Sequence, residues 1–407
     1  MRSVTHPLIH DWNDAGGAAR SSVMLDDETL RDGLQSPSVR MPTIDEKIDI
    51  LQKMAALGID TADIGLPGAG PRVARDVEQL ARVVGELRLK VAVNCAARTL
   101  VADIRPIAEI SQKTGMAIEC CAFIGSSPIR QHTEGWTLDY LQKTTEDAIG
   151  FAVKEGLNVL YVTEDTTRAD PESLRLLYAT ALRAGASRLC VADTVGHATP
   201  TGARAVVHFV RALVEELGVE AGIDWHGHQD RGFGVASSLA ALEAGATRLH
   251  GTALGIGERS GNTPIDLLLV NLVMMGYLDR DLTDLPDYCA AVARACDAKI
   301  PPNYPVVGAD AFRTATGVHA AAVMKAYRKN DRVLMDAVYA AVPASLVGRQ
   351  QEIDVGPLSG KSNVVFWLES RGLPAAPEVV DEIFTAAKAS DRTLTHDQIE
   401  TIIRRIS

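Results

Sequence analysis

The sequence predicts a parallel (β/α)8 TIM barrel followed by a small α-rich C-terminal region. Short β-rich runs alternate with longer amphipathic segments from about residue 23 to 276, and the pattern becomes mostly helical after residue 280. Strand–helix units in series favour parallel strands joined by right-handed crossovers, and eight such units close into a barrel. A doubly wound open sheet is the alternative, but no GxGxxG sequence follows the first strand.

The eight predicted strands are short runs separated by helix-length segments. They are 23–25, 61–65, 90–95, 117–123, 158–163, 188–193, 222–228 and 248–254. Several of the amphipathic segments end in a glycine shortly before the next strand, which is typical of a helix C-cap: Gly58, Gly115, Gly156, Gly185 and Gly245. The chain therefore divides into an N-terminal arm (1–22), a barrel domain (23–280) and the C-terminal region (281–407).

Composition excludes several classes of protein. Apolar residues are 46% of the 407 and charged residues 23%, which suits a globular chain. The net charge of −11 argues against nonspecific nucleic-acid binding. No apolar run approaches the roughly 18 residues of a membrane span, and the N-terminus lacks the apolar core of a signal peptide, so we expect a cytoplasmic protein. The six cysteines form no CxxC pair and indicate buried or reactive thiols.

Polar residues cluster where three of the predicted strands end. The clusters are DDETLRDGLQSP (26–37), HGH (226–228) and GIGERSGN (255–262), after strands one, seven and eight. These strands are neighbours once a barrel closes, and barrel active sites lie at the C-terminal ends of the strands. We therefore expect the three clusters to meet in one site.

The second cluster suggests a metal site. His226 and His228 alternate on a strand, so both imidazoles point to the same face. With the Asp32 carboxylate and the Asn262 amide oxygen they would form a mixed nitrogen and oxygen set suited to Mg²⁺, Mn²⁺ or Zn²⁺. The alternative is a pair of polar residues on a strand with no ion.

The first and third clusters each permit two interpretations. Arg31 is either a surface salt-bridge partner or a cation that stabilises an oxyanion as it develops, and Gln35 could hydrogen-bond Arg31 or a substrate. Gly255 and Gly257 either let the backbone approach a ligand or belong to a flexible connection, while Glu258 could contact a ligand or pair with the arginine beside it.

Four further residues are weaker candidates. Thr194 could hold a substrate carboxylate or belong to a helix N-cap region, and Asp63 could be a general base or a core carboxylate with a partner. Arg98 could bind an anionic substrate, although isolated arginines are usually solvated. His319 lies outside the barrel, where its sequence context alone indicates a structural residue.

Four motifs in order carry a family resemblance. ETLRDGLQSP (28–37), DTVGHATP (193–200), HGHQD with SLAALEAGA (226–246) and GIGERSGN (255–262) resemble the DRE-TIM metallolyase superfamily. Within it the chain looks most like the group of 2-isopropylmalate, homocitrate and citramalate synthases. The likeness covers residues 23–280 and continues more weakly through TATGVHA (314–320).

The resemblance implies an activity. Members of that group condense acetyl-CoA with a 2-oxo acid in a Claisen-type reaction that gives a 2-substituted malate, in amino-acid or specialised biosynthesis. It also implies a divalent metal and a homodimer, with hydrolysis of the thioester making the reaction irreversible. The 2-oxo acid itself stays open.

The resemblance also implies roles for individual residues. Asp32, His226 and His228 match the metal ligands and Asn262 a further one. Arg31 matches the catalytic arginine near the enolate oxygen. Gln35 matches a residue that orients the site, and Thr194 matches a threonine that binds the carboxylate of the 2-oxo acid. Asp63 stands where synthases usually carry Glu, and His319 matches a histidine often supplied by the other subunit. Residues 255–259 match the loop on the acyl-CoA side.

Departures from the family pattern keep two other functions in view. Leu34 replaces the usual acid and matches the lyase branch, which favours cleavage of a 3-hydroxy-3-methylglutaryl-type thioester. Residues 191–288 contain no cysteine, whereas the lyases resemble one another in a cysteine-containing loop there. Cys121 also stands where isopropylmalate synthases resemble one another in having His. A noncatalytic barrel is the third alternative, which the intact Asp32, His226 and His228 disfavour.

Overall fold

The computed structural model describes residues 6, 8–10, 12, 13 and 22–406; most of the predicted N-terminal arm lies outside the described residues. Eight parallel strands form a closed barrel, which confirms the predicted fold class. The strands are Met24–Asp27 (β1), Thr61–Asp63 (β2), Ala92–Arg98 (β3), Ile118–Gly125 (β4), Val159–Glu164 (β5), Arg188–Asp193 (β6), Gly222–Gly227 (β7) and Arg248–Gly251 (β8).

Helices connect the strands around the barrel. They are Ile44–Ala56 (α1), Pro71–Glu86 (α2), Val101–Thr114 (α3), Pro128–Glu134 (α4), Leu138–Lys154 (α5), Pro171–Arg183 (α6), Pro200–Leu217 (α7), Gly234–Ala244 (α8) and Ile265–Met274 (α9). Helix α1 begins with a capping box in which Thr43 and Glu46 satisfy each other's backbone N–H groups. Helix α3 ends where Gly115 adopts a left-handed conformation, as the sequence predicts.

Closure of the barrel brings its first and last strands together. In the β1–β8 pairing, Asp26 lies opposite His250 and Asp27 opposite Gly251. The segments that follow β1, β7 and β8 therefore leave the same end of the barrel side by side. This arrangement places the three polar clusters of the sequence in one region.

The barrel interior below that region is charged. Arg248 donates to Asp224 at 2.6 Å and to Glu119 at 2.7 Å. Asn94 donates to both oxygens of Asp26, at 2.8 and 2.9 Å. Because buried charges are tolerated only when paired and hydrogen-bonded, this network forms a fixed polar floor beneath the site.

The chain forms two compact units. The described part of the barrel unit is 22–280 and 287–299, and the other unit contains 281–286 and 300–406. Helix Leu285–Cys296 (α10) contributes Tyr288 to the barrel unit, where its hydroxyl donates a hydrogen bond to the Asp27 carboxylate.

The second unit is built from helices and one small parallel sheet. The sheet pairs Arg313–Thr314 (β9) with Glu352–Ile353 (β10). The helices are Gly317–Arg328 (α11), Arg332–Ala337 (α12), Lys361–Glu369 (α13), Pro377–Ala389 (α14) and His396–Ile406 (α15). Helices α13, α14 and α15 share a core around Trp367 and Ile383.

Two further features bear on the protein's class. All six cysteines are buried and none of them forms a disulfide, as the sequence predicts. Within the described part of the chain, no helix combines the length and apolar character needed to cross a membrane.

Candidate active site

Three predicted metal ligands lie together at the C-terminal end of the barrel. The Oδ2 atom of Asp32 is 3.6 Å from Nε2 of His226 and 3.7 Å from Nε2 of His228. These separations are too long for hydrogen bonds. They are close to the roughly 3–3.5 Å expected between two atoms that each bond one cation at about 2.1 Å. His226 on β7 and His228, which directly follows β7, both point into the cavity.

Unsatisfied buried atoms support a cation at this position. Asp32 Oδ2 and Asn262 Oδ1 are buried and have no hydrogen-bond partner among the described residues. Asn262 donates its amide N–H to the Ile256 carbonyl at 3.2 Å, which fixes the side chain with Oδ1 free. Its backbone also forms an isolated antiparallel β-bridge with the backbone of His228. Because buried polar atoms are seldom left unpaired, the donor set fits a divalent cation.

Glu28 and His250 extend this group behind His226. Glu28 Oε2 is 2.7 Å from Nδ1 of His226, and Glu28 Oε1 is 3.1 Å from Nδ1 of His250. The Glu28 carboxylate thus faces Nδ1 of His226, while Nε2 of the same ring faces Asp32.

His250 is held as a cation. Its Nε2 is 2.9 Å from Asp224, so both ring nitrogens face carboxylates. Burial alone would lower its pKa, but Glu28, Asp26 and Asp224 outweigh that effect and raise the pKa of His250 to about 10. His250 therefore anchors Glu28 as a hydrogen-bond donor.

Arg31 is surrounded by carboxylates. Its Nε donates to Asp63 at 2.7 Å, Nη1 to Asp32 at 2.8 Å and Nη2 to Glu28 at 3.0 Å. Burial raises the pKa of Asp63 to about 7 despite the opposing effect of Arg31. The guanidinium is thus fixed in one orientation at the edge of the ligand group.

A cavity of about 130 Å³ opens above these residues. At about 10–15 Å³ for each water-sized group, it has room for a small organic acid but not for a whole acyl-CoA. Arg31, Asp32, His226 and His228 line one side of it, and side chains from β3 to β6, apolar or small except for Glu164, line the other.

The remaining predicted site residues divide by position. Gln35, Thr194 and Glu258 line the cavity. Gly255 lies in the loop that ends at Asn262, and its carbonyl accepts the Asn262 N–H at 3.1 Å. In the same loop, a Cβ on Gly257 would lie 2.3 Å from the Asn262 amide nitrogen, so only glycine fits there.

Three predicted residues lie elsewhere. Arg98 is 61% exposed, pairs with Asp103 at 2.6 Å and is not among the residues that line the cavity. Asp63 is buried behind Arg31 and also lies outside the lining. His319 belongs to the second unit, where its ring stacks on Tyr339 with centroids 4.1 Å apart.

Sequence reasoning missed three carboxylate or imidazole groups of the site: Glu28, Glu164 and His250. Glu164 ends β5 and lines the cavity, where burial raises its pKa. The available signal was strand alternation, because Glu28 shares a face with Asp26, and His250 shares one with Arg248.

Comparisons with known proteins identify a family and several relatives of similar sequence. A family profile described as HMGL-like matches residues 22–292. Homocitrate synthase AksA of Methanopyrus kandleri is 31% identical over 396 residues, covering 94% of this chain and 92% of that protein. The 2-isopropylmalate synthase of Shouchella clausii is 29% identical over 386 residues, covering 93% of this chain and 72% of the relative.

Solved structures share the fold. The HMG-CoA lyase of Bacillus subtilis superposes with a TM-score of 0.58 at 20% identity, covering 69% of this chain and 95% of the lyase. At that level of identity the likeness establishes the barrel fold alone.

Proposed function

The chain belongs to the HMGL-like family, and from that premise we propose that it condenses acetyl-CoA with a 2-oxo acid to give a 2-substituted malate. The observation that carries the proposal is the buried Asp32–His226–His228 group beside Arg31, at the mouth of a cavity sized for a small acid. The names of relatives such as homocitrate synthase and 2-isopropylmalate synthase support the same chemistry.

We propose that Asp32, His226, His228 and Asn262 hold Mg²⁺, Mn²⁺ or Zn²⁺. The unsatisfied Oδ2 of Asp32 and Oδ1 of Asn262 support this assignment. When bound, the cation would supply Lewis-acid polarisation of the ketone of the 2-oxo acid.

The chain's own groups would bind and orient the substrates. Arg31 presents a fixed guanidinium where negative charge develops on an oxygen during carbon–carbon bond formation. Asp63 and Glu28 hold Arg31 in that orientation. We propose that Thr194 and Gln35, both in the cavity lining, donate hydrogen bonds to the substrate carboxylate.

The bond changes follow from this arrangement. The methyl carbon of acetyl-CoA loses a proton to a base and forms a bond to the ketone carbon, and the ketone oxygen becomes a hydroxyl. Water then cleaves the thioester and releases the CoA thiol. We propose His319 as the group that moves the methyl proton and a homodimer as the working, cytoplasmic form. For both, the support is the family resemblance.

A thiol-release assay tests the proposed function. Purified protein is mixed with acetyl-CoA, a panel of 2-oxo acids and each of the three cations, and free CoA thiol is measured. We expect release that depends on both a 2-oxo acid and the cation, and loss of release after exhaustive chelation. Cleavage of 3-hydroxy-3-methylglutaryl-CoA without any condensation would instead identify a lyase.

A further inference from the structure

The cavity has two chemically different sides. The charged side is formed by residues on or after β1 and β7, which carry Arg31, Asp32, His226 and His228. Strands β3 to β6, which complete the far side of the closed barrel, supply a second set of lining residues. These are Ala96, Cys121, Phe123, Leu160, Val162, Glu164, Cys190 and Ala192.

Apart from the Glu164 carboxylate at the end of β5, the second side is an apolar wall. Leu160 and Cys190 are fully buried, and with Cys121 and the partly buried Val162 they form one hydrophobic cluster. Burial raises the pKa of both thiols well above the ordinary range, so Cys121 and Cys190 are uncharged and act as small apolar groups.

The cavity offers no uncommitted cation to a second acidic group. Among the described residues of its lining, the arginine or lysine side chains are Arg31 and Arg259. Arg31 is bonded to three carboxylates, and Arg259 pairs with Asp230 at 2.9 Å. Glu164 and Glu258 add negative charge to the lining.

We infer that the substrate is a 2-oxo acid whose side chain is aliphatic and uncharged. The inference rests on the proposed function, in which the 2-oxo and carboxylate oxygens lie at the charged side of the cavity. The rest of the molecule then points at the wall formed by Leu160, Val162, Cys121 and Cys190. A second carboxylate there would be desolvated without a partner, whereas aliphatic carbon gains contact with Leu160 and Val162. The substrate class thus differs from the dicarboxylic 2-oxo acid, 2-oxoglutarate, that would give homocitrate.

An isosteric pair of substrates tests this inference. In 5-methyl-2-oxohexanoate, two methyl groups replace the two terminal carboxylate oxygens of 2-oxoglutarate, so the acids have the same length and branching but differ in charge. We expect kcat/KM for the aliphatic acid to exceed that for 2-oxoglutarate by at least about a hundredfold, because the charged group is buried unpaired. 3-Methyl-2-oxobutanoate and pyruvate complete the panel as shorter aliphatic acids.

The outcomes separate the two proposals. Equal or better use of 2-oxoglutarate would overturn the substrate class and leave the condensation activity standing. Thiol release with none of the acids would overturn the proposed function and this inference with it.

A matched pair of variants tests the wall directly. Leu160 faces the cavity, whereas Val159, the preceding residue of β5, is buried and points to the other face of the strand. We expect Leu160→Ala to raise the ratio of kcat/KM for 5-methyl-2-oxohexanoate over 3-methyl-2-oxobutanoate by about tenfold, since one methylene in an apolar pocket already changes such ratios by about 10- to 200-fold. Val159→Ala should leave the ratio unchanged. A ratio that moves equally in both variants would contradict the assignment, and the wild-type substrate pair remains decisive if Leu160→Ala does not fold.

Discussion

At the scale of single residues, Glu28 governs which nitrogen of His226 faces the candidate ligand group. Glu28→Gln replaces the acceptor with an amide and removes the negative charge that His226, His250 and Arg31 share. Because such outer partners tune metal ligands, we expect the affinity for the divalent cation to fall by about 10- to 100-fold. Isothermal titration of the cation into metal-stripped protein measures this without reference to activity.

Glu119→Gln is the matched control for that substitution. Glu119 is another carboxylate of the barrel interior, but it bonds Arg248 and contacts none of the proposed ligands. An equal loss of affinity in both variants would mean that general disturbance of the barrel, and not the orientation of His226, lowers cation binding.

Arg31 provides the second test at this scale. Arg31→Lys keeps the positive charge but cannot reach Glu28, Asp32 and Asp63 at once, because an ammonium lacks the planar fork. We expect turnover to fall at least about tenfold, equivalent to roughly 1.4 kcal/mol of barrier, with little change in KM for the 2-oxo acid. Steady-state kinetics would contradict this role if KM alone rose.

The sequence predicts single residues well where motif and strand position agree. Asp32, His226 and His228 meet as expected because β1 and β7 end at the same side of the barrel. Glu28 and His250 were missed because their contacts cross between strands far apart in the chain. Arg98 instead forms an ion pair with Asp103, and the spacing of these residues in the sequence does not predict this pair.

At the scale of elements, the loop from Thr252 to Asn262 depends on close backbone packing. A Cβ at Gly261 would lie 1.8 Å from the Gly255 carbonyl oxygen, and Gly261 has a φ of +87°. Gly261→Ala should therefore displace Asn262 and reduce both cation affinity and thiol release by about tenfold or more, since only glycine adopts this conformation without strain.

Gly218→Ala is the control for the loop. Gly218 also has a positive φ, +65°, but nothing lies within 4 Å of its Cβ position at the end of α7. We expect that variant to lose about 1 kcal/mol of stability in thermal unfolding while retaining activity. Equal effects of the two substitutions on activity would argue that the loop is not a rigid part of the site.

The burial of Asp27, where β1 meets α10, should make the barrel's stability depend on pH. Burial raises the pKa of Asp27 to about 7, even though hydrogen bonds from Thr29 and Tyr288 oppose the shift. The folded state thus keeps a proton that the unfolded chain releases near pH 4, so this group's contribution to stability declines as pH rises from about 4 to about 7. Asp27→Asn should flatten that decline, which urea unfolding at about pH 5 and about pH 8 measures; an unchanged slope would contradict the assignment.

Element types were more predictable than element ends. Strand β6 has the bounds predicted for it, 188–193, because an uninterrupted apolar run, 189–192, lies between the polar residues Arg188 and Asp193. Strand β8 stops at Gly251, three residues before the predicted end, because Thr252 and Ala253 turn into the tight loop that carries Gly255. Tertiary packing of that loop overrides a local preference for extended backbone.

At the scale of the whole molecule, the prediction concerns assembly. If His319 acts in the site of a neighbouring subunit, two inactive proteins carrying Asp32→Ala and His319→Ala should recover activity when mixed and re-associated. Some mixed dimers would then combine an intact ligand group with an intact histidine. Subunit exchange is followed independently by mass labelling, and exchange without recovered activity would mean that the histidine acts in its own chain or not at all.

The pairing of β1 with β8 has a consequence for biosynthesis. Asp32 leaves the ribosome early, whereas His226, His228 and Asn262 emerge only with the last two strands. Such long sequence separation slows folding, because bringing distant segments together costs chain entropy before any stabilising contact between them forms. A nascent or truncated chain that lacks β7 and β8 would carry one proposed ligand and no site. Cation binding would thus stabilise only those chains in which the barrel has closed and the four proposed ligands have come together.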